Sequence, residues 1–141
     1  MPSRDEFIRI NRNMFLRDSN AIVAYSDSLG LNAVPTSLNL WLTLHKGGEG
    51  DKIKNGERVS YEYCVRTLSG DTLYDSGHDG IRSITVGRQE DVIGIDEALY
   101  QLHRGDSATV ILIPEKAFGL AGDQKRVFGR CIVRYDIKIL K

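Results

Sequence analysis

Only two cysteines, Cys64 and Cys131, stand in 141 residues. They are too few and too far apart for a disulfide framework or a zinc site with paired ligand spacing, so both are expected to be free thiols. Neither sign of charge is in excess. Lysine plus arginine number 19 and aspartate plus glutamate 19, so no bulk field favours nucleic acid or an anionic membrane surface. No run approaches the ~18 apolar residues a membrane helix requires. The amino terminus, Met1-Pro2-Ser3-Arg4-Asp5-Glu6, has neither the basic n-region nor the apolar h-region of a signal peptide. The three histidines, His45, His78 and His103, have no cysteine or carboxylate at ligand spacing, so no metal is expected. Ser76 near His78 lacks the strand-turn-helix context of a nucleophile elbow. The glycine-rich stretch His45 to Asp51 lacks the lysine spacing of a phosphate loop and reads as a hairpin loop.

What remains is the composition of a folded domain: 41% hydrophobic and 27% charged residues, in a chain long enough for one core. Ser3 followed by Glu6 has capping-box spacing, and Phe7, Ile10 and Met14 with Ile8, Phe15 and Ile22 recur near helical spacing up to Gly30. Asp18-Ser19-Asn20 offers a point where that helix could divide. Its apolar stripe either covers the main domain or serves as a dimerisation or tethering arm.

Beyond Pro35 the period becomes two. Leu38, Leu40, Leu42 and Leu44 alternate with Asn39, Trp41 and Thr43. Val59, Tyr61, Tyr63, Val65 and Thr67 alternate with Ser60, Glu62, Cys64, Arg66 and Leu68, the first set forming the expected core face. Thr72 to Ser76 and Ile84 to Val86 read as short strands joined by a polar loop, and Ser107 to Ile113 and Cys131 to Leu140 as longer ones. In the last, Cys131 lies with the apolar set. Gly94 to Gly105 reads as a helix, with acids in its first turn and glycine at its end. The long connection from Pro114 to Arg130 has the length of a functional loop. The expected fold class is α+β: an antiparallel sheet with one short helix across it and a helical amino-terminal extension, divided as residues 1–36 and 37–141.

Six local patterns in this order resemble the FKBP-type peptidyl-prolyl isomerases over roughly Thr43 to Leu140. Gly56 with Val59 and Tyr63 resembles the family strand bearing a pocket tyrosine, and Tyr74-Asp75-Ser76 its Phe-Asp-Ser element. Gly87 followed by Val92-Ile93-Gly94-Ile95 resembles the family's entry into the helix, which Gly105 closes. Ile111-Leu112-Ile113-Pro114-Glu115-Lys116-Ala117-Phe118-Gly119 resembles its strand ending in Ile-Pro-x-x-x-Ala-Tyr-Gly. Tyr135-Asp136-Ile137-Lys138-Ile139-Leu140 resembles its closing strand.

The resemblance implies a curved sheet wrapped around the short helix, and an apolar pocket in which a proline ring sits while the preceding amide rotates. By motif the pocket would be walled by Tyr63, Tyr74, Ile95, Phe118 and Tyr135, with Val92 at the mouth, Val127 on the long loop and Asp75 as its polar edge. The Val92 N–H and Glu90 carbonyl would bond an extended peptide. Arg82 is the candidate to pair with Asp75. No cofactor is implied. The implied partners are proline-containing clients and macrolides of the FK506 and rapamycin type. Phe118 and Ile95 stand where the family usually has tyrosine and tryptophan, which keeps open a weakly active or inactive FKBP-like chaperone or peptide-binding module as the alternative. A helical extension resembles envelope members in bacteria, periplasmic or lipid-anchored. Free cysteines point instead to the cytoplasm.

Overall fold

A computed structural model describes residues 2–37 and 39–141. Leu38, expected to open the first alternating strand, lies outside the described residues. The chain divides into two compact units, one ending at Asn32 and the other running from Ala33 to Lys141. The first is the helix α1 (Arg4–Leu29). Ser3 caps it as the spacing predicts: its side chain accepts from the Glu6 N–H, and the Ser3 N–H donates to the Glu6 carboxylate, both at 3.2 Å. Gly30 closes the helix in the left-handed region at φ 64°, where only glycine is unstrained. Asp18-Ser19-Asn20 does not break it.

The second unit is a seven-stranded antiparallel sheet. Its strands are β1 (Val34–Pro35), β2 (Leu40–Lys46), β3 (Arg58–Thr67), β4 (Thr72–Asp75), β5 (Arg82–Thr85), β6 (Ser107–Leu112) and β7 (Val133–Ile139). The path runs β1-β2-β6-β7-β3-β4, and β5 pairs with β3 alongside residues 58–61. The expected faces hold in β3, where Val59, Tyr61, Tyr63, Val65 and Thr67 are all buried. In β2 Leu44 departs from the pattern and is 52% exposed, because β1 pairs only with Trp41 and Leu42 and leaves the strand's far end at the sheet edge.

The glycine-rich stretch after β2 is not a hairpin loop. β2 pairs with β6 and β3 with β7, so residues 47–57 cross between strands that are not neighbours. That crossing is held by Ile53, buried, and by a Gly48 N–H bond of 2.6 Å to Asp106 Oδ1. Two further local differences matter for the site. The polar loop after β4 begins with a one-turn helix, α2 (Ser76–Asp79). The central helix, α3 (Ile93–Leu99), is shorter than its pattern predicts and ends in turns before Gly105.

Burial holds α3 against the sheet. Ile95, Ala98 and Leu99 are fully buried in one core with Leu112, Val110 and Tyr135, and each large apolar side chain so buried contributes about 1.5–3 kcal/mol. The approach requires glycine at position 94, where a Cβ would lie 2.4 Å from Leu112 Cδ2 and 2.9 Å from the Lys116 carbonyl oxygen.

Candidate active site

Where β3, β7 and the start of α3 meet the loop that follows β6, the sheet leaves a cavity of about 600 Å³. Strand parity builds its floor. Tyr63 and Tyr135 both project inward, and Val65 and Tyr135 sit opposite each other in register. Tyr74 from β4 and Phe118 from the loop form one wall, their rings stacked with centroids 6.5 Å apart at 27°. Glu90 and Val92 line the entry to α3.

Six of the residues expected from sequence therefore come together: Tyr63, Tyr74, Glu90, Val92, Phe118 and Tyr135. Ile95 and Val127 are instead sealed into the core beneath, 0% and 3% exposed. Asp75 is turned away to a structural task. Its carboxylate caps α2 by accepting from the His78 N–H at 3.0 Å.

The pairing expected between Asp75 and Arg82 is made by a different acid. Asp91, with a side chain 5% exposed, lies 3.6 Å from Arg82. Its Oδ2 accepts from the Tyr61 hydroxyl in a short hydrogen bond, and its Oδ1 accepts from the Val92 N–H at 2.7 Å. The Val92 amide thus already has a partner within the chain. Burial, reinforced by the Asp91 charge, pushes both Tyr61 and Tyr135 above the usual phenol range, so both rings stay neutral. Arg82 lies over the Tyr63 ring, 5.8 Å from its centroid. The sequence signals the need for a partner without naming it: Tyr61 falls on the buried face of β3, and a buried tyrosine hydroxyl requires a polar group, which only the fold shows to be Asp91.

The loop wall is tied down by a second acid. Asp123 Oδ1 accepts from the N–H groups of Lys125, Arg126 and Val127 at 2.9, 3.0 and 2.8 Å. Its Oδ2 takes the Tyr74 hydroxyl. Arg126 lies 4.6 Å above the Tyr74 ring and donates to the Leu73 carbonyl at 3.1 Å and to Asp79 at 3.0 Å. Burial opposes the Asp123 charge, but the Tyr74 hydroxyl and the backbone donors outweigh it and hold that carboxyl below the usual range. Arg126 does the same for Asp79.

Both shifts are depressions, so what they contribute is present above the ordinary carboxylate value of about 3.9 and is lost as pH falls through the lower folded-state values. The amide resonances of Lys125, Arg126 and Val127 are therefore expected to stay fixed from pH 7 down to about 4 and to move only below it. A midpoint above about 4 in an NMR titration would show the Asp123 latch to be wrong.

Comparison with known proteins bears on the family and the fold. Residues 49–140 match the family model described as FKBP-type peptidyl-prolyl cis-trans isomerase. The chain is 32% identical over 90 residues to peptidyl-prolyl cis-trans isomerase Fkbp12 of Drosophila melanogaster, covering 62% of this chain and 82% of that protein. It is 30% identical over 99 residues to FK506-binding protein 1A of Emericella nidulans, covering 67% of this chain and 89% of the other. Among solved structures, that of AtFKBP13 superposes with a TM-score of 0.72 at 18% identity, over 75% of this chain and 94% of that one, a likeness of fold.

Proposed function

The chain belongs to the FKBP-type peptidyl-prolyl cis-trans isomerase family, and from that premise we propose that its aromatic cavity takes a proline ring and speeds rotation about the amide before it. The barrier to that rotation, about 18–20 kcal/mol, comes from amide resonance. The twisted transition state is less dipolar than the planar amide. A dry aromatic pocket therefore favours it without acid, base, nucleophile or cofactor, provided the flanking peptide is held. The observation that carries the reading is the convergence of Tyr63, Tyr74, Phe118 and Tyr135 on one cavity beside the half-exposed Arg82.

The substrates of this reading are proline-containing segments of unfolded clients, with folding assistance as the outcome. The name of the Emericella nidulans relative supports FK506-type macrolides as further ligands.

A second reading, a peptide-binding module with little turnover, is favoured by two observations. The Val92 amide is already engaged by Asp91, and Phe118 has no hydroxyl to offer a substrate. Cis-to-trans rates of an X-Pro tetrapeptide panel separate the two. The wild type is expected to accelerate exchange well beyond the uncatalysed tens to hundreds of seconds. Tyr135→Ala, which removes the floor, should lose most of the acceleration. A well-folded wild type that binds the peptides but leaves their exchange uncatalysed would establish the second reading.

A further inference from the structure

We infer that the cavity prefers proline segments carrying an acidic residue next to the proline, with Arg82 and Lys125 as the specificity-determining residues. The inference rests on the proline-pocket reading above and adds the charge of the preferred segment.

By formal charge the lining is balanced, with Arg82, Lys125 and Arg126 against Glu90, Asp91 and Asp123. Hydrogen bonding leaves that charge in place but leaves the two signs unequally free to take a new partner. Glu90 accepts from the Thr85 N–H at 2.5 Å and from Arg58 at 3.4 Å. Asp91 is held by Tyr61 and the Val92 amide, and Asp123 by Tyr74 and three backbone donors. Each carboxylate thus has at least two protein donors already. Among the cations, Arg126 is equally occupied by the Leu73 carbonyl, Asp79 and the Tyr74 ring.

The other two cations differ. Arg82 has one ion-pair contact, at the long distance of 3.6 Å, and the face of Tyr63, while its side chain is 44% exposed. A guanidinium has five N–H donors in a fixed fork suited to a carboxylate, and here none makes a hydrogen bond within the chain among the described residues. Lys125, which is exposed, lines the same cavity, and its ammonium has no ion pair among the described residues. An entering carboxylate would meet two charged groups that make no hydrogen bond among the described residues. An entering ammonium would find Asp91 and Asp123 bonded through both oxygens, and Glu90 bonded through Oε1.

Isosteric pairs of tetrapeptides test this, Glu-Pro against Gln-Pro and Pro-Glu against Pro-Gln, in both turnover and binding titrations. In at least one pair kcat/KM, or affinity where no turnover occurs, should favour the acidic peptide about three- to tenfold at low salt. The effect should appear chiefly in KM. That ratio should shrink towards one in 0.5 M NaCl, where the screening length is about 4 Å, and should fall below one in Lys125→Glu. Ratios of one or less in both pairs would overturn the inference, as would a preference unmoved by salt and by Lys125→Glu. Absence of turnover for all four peptides counts against the isomerase reading alone, because the ratio of dissociation constants still decides the preference.

Discussion

Replacing Asp91 with alanine is expected to lower the unfolding free energy by about 2–4 kcal/mol, the cost of stranding buried partners rather than of losing one surface charge. The Tyr61 ring is 0% exposed and its hydroxyl has Asp91 as its hydrogen-bond partner. Without the acid that hydroxyl is buried and unpaired, at about 1–3 kcal/mol, and the Val92 N–H loses its acceptor as well. Asp91→Asn keeps an acceptor in place and should cost about half as much. Tyr61→Phe removes the stranded donor, so the double variant Tyr61→Phe/Asp91→Ala should be more stable than the sum of the single effects predicts. The midpoint of urea unfolding reads all four proteins. An Asp91→Ala protein within about 0.5 kcal/mol of wild type would overturn the assignment of Asp91 as the hub beneath the cavity. The phenol shift has a sign of its own. The Tyr61 value is raised, so its contribution is complete below the ordinary tyrosine value of about 10 and declines above it. The hub therefore holds throughout the neutral range.

Asp91 also marks the limit of what local pattern can show. Alternation in β3 is written in five apolar or hydroxyl-bearing residues at period two, and every one is buried. The Ser3 and Glu6 cap is likewise local, because both partners lie within one turn. Pairing across the chain is not. The bond between β2 and β6 joins residues more than sixty positions apart, such as Leu42 with Val110, and no feature of residues 45–56 distinguishes a hairpin from a crossing. The site divides along the same line. Tyr63, Tyr74 and Tyr135 sit on strands, and Phe118, on the loop after β6, is legible from the Ile-Pro motif that precedes it. Asp75 was misplaced because α2 is a single turn of Ser-Gly-His-Asp with no periodicity, and its N-cap needs that carboxylate. Asp123 and Arg126 were missed because the loop carrying them has no period, only a set of hydrogen bonds that exists once it is folded.

That loop supplies the other large expected effect. Gly122→Ala should abolish most of the peptide isomerisation or binding proposed for the cavity while leaving the sheet folded, because position 122 needs glycine twice over. Its φ is +69°, and a Cβ there would lie 2.1 Å from the Val127 carbonyl oxygen and 2.7 Å from the Phe128 carbonyl carbon. Those are backbone atoms that cannot turn aside as a flexible side chain would. Relief requires residues 122–128 to refold. The Asp123 bonds to Tyr74 and to three N–H groups then break, and Val127, 3% exposed, is drawn from the core. Gly119→Ala is the matched control, with a similar φ of +75° and nothing within 4 Å of the added carbon. It should cost only the left-handed penalty of about 1–2 kcal/mol. Far-UV circular dichroism of both variants should match wild type, and peptide isomerisation or binding should collapse in Gly122→Ala alone. Equal losses in the two variants would mean that backbone conformation, and not the close approach of the Val127 carbonyl, governs this loop.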